Sequence, residues 1–397
     1  MEAEVLVIGA GPAGSAAALA LARAGLDVIL ADQQAFPRDK ACGDALIPDA
    51  LQALDALGVG PQVLAQAAPV GKVRIHAPDE SYVEFSGQAA CLPRRLLDDA
   101  LRRAAVEAGA RFLPWVKAFA PLEGRSAVAG ARFRRRGEAR SLDIGARVTV
   151  LATGAGPEPL ALFGLEGPRP CPGAVAVRAY VDAPGLPPMP FLCLAFQRTI
   201  PGGYGWIFPG PAGRYNLGVG LFGRRGRQAG NLRLLWRRFL DTFPPARVLA
   251  KAATRIEPLR GAPLACGFDG ARLGRPGLLL AGEAAGLTYP LSGEGIGKAL
   301  ESGMLAAECV LDAFRRRESP ERLLARYGQA ARGRFLRRFT GYRAGERLLA
   351  WPSLMNLLAR RAREGRFVRR QLEAIFAETA YPDSLFSVPG LLRALLA

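Results

Sequence analysis

The sequence predicts an α/β fold in which a nucleotide-binding unit is interrupted by a β-rich insertion and closed by helices. Three observations predict it. An apolar strand at the start, Glu4 to Ile8, runs straight into the turn Gly9-Ala-Gly11-Pro12-Ala13-Gly14 and then into an Ala- and Leu-rich helix. A buried-strand pattern returns late, at 277–282, and again leads to a glycine-rich helix start. Between them, 171–260 carries strand-like segments, and from 320 onward the pattern is helical.

The first element is the most specific. Gly9 permits a tight turn, Gly11 lets a pyrophosphate reach the backbone, and Gly14 lets helix and strand pack closely. The helix N-terminus faces the phosphates, and Asp32, ending a second apolar strand (Val28 to Ala31), is placed to hold a ribose hydroxyl. The apolar run 5–31 is broken by Gly9, Gly11, Pro12 and Gly14 and carries Arg23 and Asp27, so it reads as βαβ and not as a membrane span.

A loop, Phe36 to Asp44, comes next, then a helix from Pro48 to Leu57. Residues 70–92 alternate as strands do. Arg94 to Ala108 reads as a helix, followed by strand Arg111–Leu113 and a β-meander over 115–134 and 139–150. Strands are expected at Val175–Val181, Phe191–Phe196, Gly205–Phe208 and Tyr215–Leu221. A helix is expected from about Gly293 to Phe314, and Pro352, Pro382 and Pro389 mark breaks in the helical tail.

Composition excludes several classes. At 397 residues, 50% hydrophobic and 22% charged, the chain is globular and long enough for two or three units. Its six cysteines (42, 91, 171, 193, 266, 309) show neither CxxC nor finger spacing, so no metal site is expected and a reducing cytoplasm suits them. Glu2 and Glu4 replace the basic start of a signal peptide. The single histidine, His76, lies in a strand-like run, which argues against His-based triads and HExxH zinc chemistry. The net charge of +18 concentrates in 321–370, with fourteen Arg against three Glu. No nucleic-acid-binding motif accompanies it, so nucleic acid is not an expected partner. An Arg-rich solvated helical face and a basic surface lying on anionic lipid both remain open.

Two further segments suggest chemistry. Gly282-Glu283-Ala-Ala-Gly286 through Pro290, Gly293, Gly295 and Ile296 pairs an acid at a strand end with a glycine-rich helix start. The acid suits sugar or ribityl hydroxyls, and the helix N-terminus suits an anionic ring edge. In Tyr204-Gly-Trp206-Ile-Phe208-Pro209, three alternate aromatics share one face of a strand, forming a wall for an apolar substrate or a flavin, or simply core.

With these segments in view, the chain resembles the geranylgeranyl reductase family of flavoproteins, within the group related to para-hydroxybenzoate hydroxylase. Four motifs match in order over roughly residues 4–305. They are the Gly9–Gly14 fingerprint with Asp32, the loop Phe36-Pro-Arg38-Asp-Lys40-Ala-Cys42-Gly43, the segment Tyr204–Pro209, and Gly282–Gly303. Arg94 with Asp98 fits a helix start that contacts flavin in such proteins.

The resemblance implies a Rossmann-like FAD-binding domain of the glutathione-reductase type (1–70, 91–170 and 261–318). It implies a substrate unit (71–90 and 171–260) and a helical tail (319–397). It implies FAD held by the Gly9–Gly14 turn, Asp32, Arg38, Lys40, Cys42, Gly43, Arg94 and the Gly282–Ile296 segment. Cys42, Tyr204 and Trp206 would serve the chemistry, and Tyr204, Trp206 and Phe208 would line the cavity for a hydrophobic substrate.

Two departures stand out. Glu283 replaces the family's usual Asp, and Ala152–Gly156 lacks the Asp-Gly through which hydroxylases of the group meet NAD(P)H. The electron donor is therefore open between NAD(P)H and another reductant. The expected activity is FAD-dependent reduction of carbon–carbon double bonds in an isoprenoid-like chain. An FAD-dependent monooxygenase and a flavin halogenase are the competing enzymes, and a flavin-binding or basic membrane- or RNA-binding protein without turnover is the non-enzymatic reading.

Overall fold

A computed structural model describes residues 1–165, 173–223 and 230–396. Cys171 and the expected unit boundary at 170/171 lie outside the described residues.

Strand β1 (Glu2–Ile8), helix α1 (Pro12–Arg23) and strand β2 (Val28–Ala31) form the opening βαβ unit. The chain then crosses to a second sheet with β3 (Ala45–Leu46), folds α2 (Pro48–Ala56) and α3 (Gly60–Leu64), and adds the hairpin β4 (Ala68–His76) and β5 (Tyr82–Cys91). Helix α4 (Arg94–Glu107) and β6 (Arg111–Leu113) return to the first sheet. The meander β7 (Val116–Glu123), β8 (Val128–Arg135) and β9 (Ser141–Leu151) follows, then α5 (Glu158–Leu162). The second sheet is built mainly from β10 (Ala174–Asp182), β11 (Phe191–Ala195), β12 (Gly203–Pro209) and β13 (Arg214–Phe222). Helices α6 (Leu232–Thr242) and α7 (Pro244–Ala252) back it, and β14 (Arg255–Ile256) and β15 (Arg260–Leu264) complete it.

β16 (Gly274–Arg275), β17 (Leu278–Leu280) and α8 (Ile296–Arg315) close the first unit. The tail is α9 (Pro320–Glu346), α10 (Pro352–Glu364), α11 (Phe367–Phe376), α12 (Asp383–Phe386) and α13 (Val388–Leu396).

The first sheet runs β16-β17-β9-β1-β2-β6, parallel from β17 to β6, with Leu6 opposite both Ile29 and Thr149. β2 and β17 are buried at every residue, which is why they read as unbroken apolar runs. Helix α1 lies between this sheet and α8, and its alanines allow the close approach: a Cβ at Gly303 of α8 would strike the Ala13 carbonyl.

The second sheet runs β14-β10-β13-β12-β11-β4-β5-β3, with β15 on β10. Alternation divides β12 between two faces. Ile207 belongs to the cluster with Phe239 of α6, and the Phe239 ring fills the space beside Gly205. Tyr204 and Trp206 turn to the nucleotide unit's core. Tail helix α11 covers the β4–β5 hairpin, where Phe376 lies 2.6 Å from the Cβ position of Gly87.

Three expectations are corrected. Residues 232–252, placed in the β-rich stretch, form α6 and α7, whose buried Leu235, Phe239, Ala246 and Leu249 follow helical spacing. Helix α8 starts at Ile296 and not at Gly293, because Leu291 and Gly293 adopt φ of 70° and 68° in the turn before it. The tail prolines do mark breaks, each at the start of the helix that follows: Pro352 begins α10, Pro382 precedes α12 and Pro389 lies in the first turn of α13, where a missing N–H costs nothing. The second sheet also takes in Ala45–Leu46, Ala68–Val70 and β15, which the expected boundaries assigned to the nucleotide unit.

Candidate active site

The glycine turn forms a cradle. Gly9 has φ 104°, and a Cβ there would sit 2.5 Å from the Ala152 carbonyl oxygen of the neighbouring strand end. A Cβ at Gly14 would run into the Gly9 carbonyl. Beside Gly11 the space is open, and the nearest atom to a Cβ there is Arg38 Nη2, at 3.6 Å. A pyrophosphate entering this opening would meet bare backbone on one side and a guanidinium on the other, so the residues fit FAD. Pro12 opens α1, and Ala13 packs against Gly282, so the first and last parts of the nucleotide unit interlock here. Asp32 accepts from Ala10 N and Gln34 N, both at 2.8 Å. Burial pushes its carboxyl above the ordinary range, against the pull of Arg38.

The loop after β2 crosses the whole site. Arg38 pairs with Asp98 at 3.1 Å, and Arg94 clasps the same carboxylate with two bonds at 2.7 and 2.8 Å. Lys40 Nζ meets Glu283 Oε2 at 3.0 Å. Burial pushes the Glu283 carboxyl up, but Lys40 and hydrogen bonds from Ala265 N and Thr288 Oγ1 outweigh it, leaving Glu283 below its ordinary value. The longer acid is therefore an ionised group with Lys40 as counter-charge. Half-buried Cys42 offers its Sγ to Asp44 N at 3.4 Å and to the Arg94 guanidinium.

The aromatic strand meets this loop. A Cβ at Gly43 would lie 3.0 Å from the Phe208 ring and 3.6 Å from Trp206 Nε1. Tyr204, Trp206 and Phe208 stand at ring spacings of 6.3 and 6.2 Å, and Phe222 stacks on Tyr204 at 5.3 Å. The Tyr204 hydroxyl donates to the Ser292 carbonyl, and burial pushes its ionisation up. The Trp206 indole donates to Asn216 Oδ1 at 2.9 Å. With both polar ends engaged, these residues form a wall. Gly293 lies against Tyr204 and Phe222, and Pro290, Gly295 and Ile296 complete the turn into α8.

Sequence reasoning missed several residues around this turn. Lys298 Nζ lies in a dry cluster with Asp49 (3.2 Å), Glu301 (2.6 Å) and Glu378 (3.4 Å), and Glu378 is also held by Arg338 at 2.9 Å. Burial, with the Asp49 carboxylate beside it, pushes Glu294 well above the carboxylate range. Asp44, Tyr180 and Asn216 were missed as well. The available signal was a polar residue amid apolar strand, as at Asn216 in Tyr-Asn-Leu-Gly-Val.

The profile of the family described as FAD binding domain matches residues 2–158. A Mycobacterium tuberculosis protein named menaquinone reductase is 36% identical over 349 residues, covering 82% of this chain and 81% of that one. A protein from Methanopyrus kandleri named digeranylgeranylglycerophospholipid reductase 2 is 31% identical, covering 82% and 81%. The chain belongs to the geranylgeranyl reductase family. This family member is an FAD-dependent oxidoreductase. A geranylgeranyl bacteriochlorophyll reductase-like protein from Thermoplasma acidophilum has the same fold, with a TM-score of 0.80 at 24% identity, covering 99% of this chain and 96% of that one. The flavin-dependent brominase Bmp2 shares the fold too, with a TM-score of 0.77 at 18% identity, covering 100% and 98%. At such identities the fold alone is shared.

Proposed function

We propose that this reductase saturates carbon–carbon double bonds in the isoprenoid chain of a hydrophobic substrate, with an isoprenoid quinone as first candidate because relatives named menaquinone reductase are the more similar. The observation that carries the reading is the meeting of the Cys42–Gly43 turn with the Trp206–Phe208 wall. Gly11, Arg38, Asp32, Lys40, Glu283 and the turn into α8 would hold FAD. When bound and reduced, FAD supplies the hydride for one alkene carbon.

The chain's own part is positioning and proton supply. The wall of Tyr204, Trp206 and Phe208 orients an apolar chain and excludes water. Cys42 Sγ, between Arg94 and the Asp44 N–H, holds the proton for the second carbon and regains it from solvent. The substrate unit comprises the second sheet, and the electron donor, NAD(P)H or another reductant, recharges the cofactor.

The substrate class also suits contact with a lipid surface. No helix is long and apolar enough to cross a membrane among the described residues. However, α13 exposes Val388, Leu392 and Leu396 at helical spacing, at 72%, 55% and 86%. Exposed Arg360, Arg363, Arg369 and Arg393 lie on the same tail. That combination suits peripheral docking on anionic lipid.

The deciding experiment mixes anaerobically reduced protein with a menaquinone or a geranylgeranyl lipid. The expected result is flavin reoxidation without oxygen and a product heavier by two hydrogens. Reoxidation only by oxygen, with oxygen entering the product, would instead make the protein a monooxygenase.

A further inference from the structure

The loop that carries Arg38, Lys40 and Cys42 is gripped from the side facing the second sheet. Tyr180 of β10 and Asn216 of β13 are direct partners across the ladder. The Tyr180 hydroxyl donates to Asp44 Oδ2 at 2.6 Å, and Asn216 Nδ2 donates to the same oxygen at 2.8 Å. That amide also donates to the Cys42 carbonyl at 2.7 Å, while its oxygen accepts from the Trp206 indole. Asp44 Oδ1 accepts from Arg94 N at 3.3 Å. Two residues back along β10, Arg178 donates to Asp39 Oδ1 at 2.6 Å, its guanidinium 4.0 Å over the Tyr180 ring. Asp44 is 2% exposed and has φ 67°, a conformation that glycine takes freely and other residues avoid. Residues kept in such a conformation cluster where their side chain or backbone is needed.

We infer that Asp44 is a positioning residue: with Asn216 and Tyr180 it locks the Cys42–Gly43 turn against Trp206, so that cofactor loop and substrate wall keep one geometry. The inference rests on the proposed reaction only for its turnover readout. Asp44 acts through Cys42, Gly43 and Trp206 and need not meet the substrate.

The clamp responds to pH. Asp44 is faced by Tyr180 and Arg178 from β10, Asn216 from β13, Arg94 from α4, Cys91 from β5 and Cys42 of its own loop. Burial pushes its carboxyl up to about 6, while Tyr180 and Asn216 pull it down. Ionised, Oδ2 accepts both bonds; protonated, the carboxyl gains a donor and the clamp loses an acceptor. The clamp is therefore complete above pH about 6 and loosens below it. Because the folded value lies above the unfolded one, ionising Asp44 lowers stability as pH rises through 6, so stability is given up here for geometry.

The test uses FAD-loaded protein carrying Asp44→Ala, Asn216→Ala or Tyr180→Phe. The first readout is iodoacetamide labelling of Cys42, mapped by peptide mass so that Cys171 and the buried thiols are counted apart. The second is the pH profile of kcat with a geranylgeranyl lipid. In the two alanine variants Cys42 should label about tenfold faster and kcat fall about tenfold, with FAD content and KM nearly unchanged. Tyr180→Phe removes one hydroxyl and keeps the ring, so it should fold, and it should move the acid limb up by about one pH unit. Asp44→Asn presents one acceptor and one donor, as the protonated carboxyl does, and cannot titrate, so it should hold kcat near the low acid plateau at every pH and abolish the limb. Wild-type labelling and an unmoved acid limb across the variants would overturn the inference. Faster labelling in protein that turns over no alkene would leave the clamp standing and sink the reductase reading.

Discussion

A methyl group at Gly14 would drive into the Gly9 carbonyl, whereas one at Gly11 would stand in open space 3.6 Å from Arg38. The two glycines therefore predict different failures. Gly14→Ala should lower the melting temperature of the apoprotein, because helix and strand cannot part without disturbing the sheet; overpacking of this kind costs about 1–3 kcal/mol. Gly11→Val should leave the apoprotein's melting temperature nearly unchanged and yield colourless protein, since its side chain takes the phosphate's place. A yellow Gly11→Val protein would show that the cradle lies elsewhere. These glycines, Asp32, Lys40 and Glu283 were legible because their meaning is local: each sits in a motif whose spacing implies a turn or helix start. Asp44, Tyr180 and Asn216 were not, because their bonds span 136 and 172 residues and no spacing announces them.

At the scale of elements, β12 was readable and its neighbours less so. Strict alternation gave Tyr204, Trp206 and Phe208 a common face, and the rings do stand in a row. What faces them could not be read from the strand, since Ser292 and Gly43 arrive from distant turns. Tyr204→Ala should therefore raise KM for an isoprenoid substrate at least tenfold while FAD content in the purified protein stays near wild type. An equal loss of both would make Tyr204 a support of the Ser292 turn. Helices α6 and α7 escaped the β-rich assignment because the stretch was judged by its strands, although Leu235 and Phe239, four apart, already had helical spacing.

The whole molecule carries +18, and its tail adds exposed apolar residues to that charge. If the tail docks on lipid, two forces should separate experimentally. Sedimentation with phosphatidylglycerol vesicles should weaken as salt rises from 50 to 500 mM, roughly a threefold fall in Debye length. Replacing Val388, Leu392 and Leu396 together by serine should weaken it at every salt concentration, because burial of apolar area is not screened. Binding equal to that of phosphatidylcholine vesicles would count against an electrostatic part, and no binding to either would leave the basic face simply solvated. Net charge was plain from composition, but which apolar residues reach solvent depends on how the last helices pack.

The cluster around Lys298 joins the two ends of synthesis. Asp49 comes from α2, Lys298 from the helix that begins at the cofactor turn, Arg338 from α9, and Glu378 from just beyond α11. A nascent chain halted before Glu378 would leave the buried Arg338 guanidinium without the Glu378 carboxylate and without the Glu378 and Ala380 carbonyls that accept from it, and breaking a buried set of this kind costs about 3–5 kcal/mol. An early residue thus waits on nearly the last to complete the cluster beside the turn into α8, so an unfinished chain is poorly fitted to hold that turn for FAD.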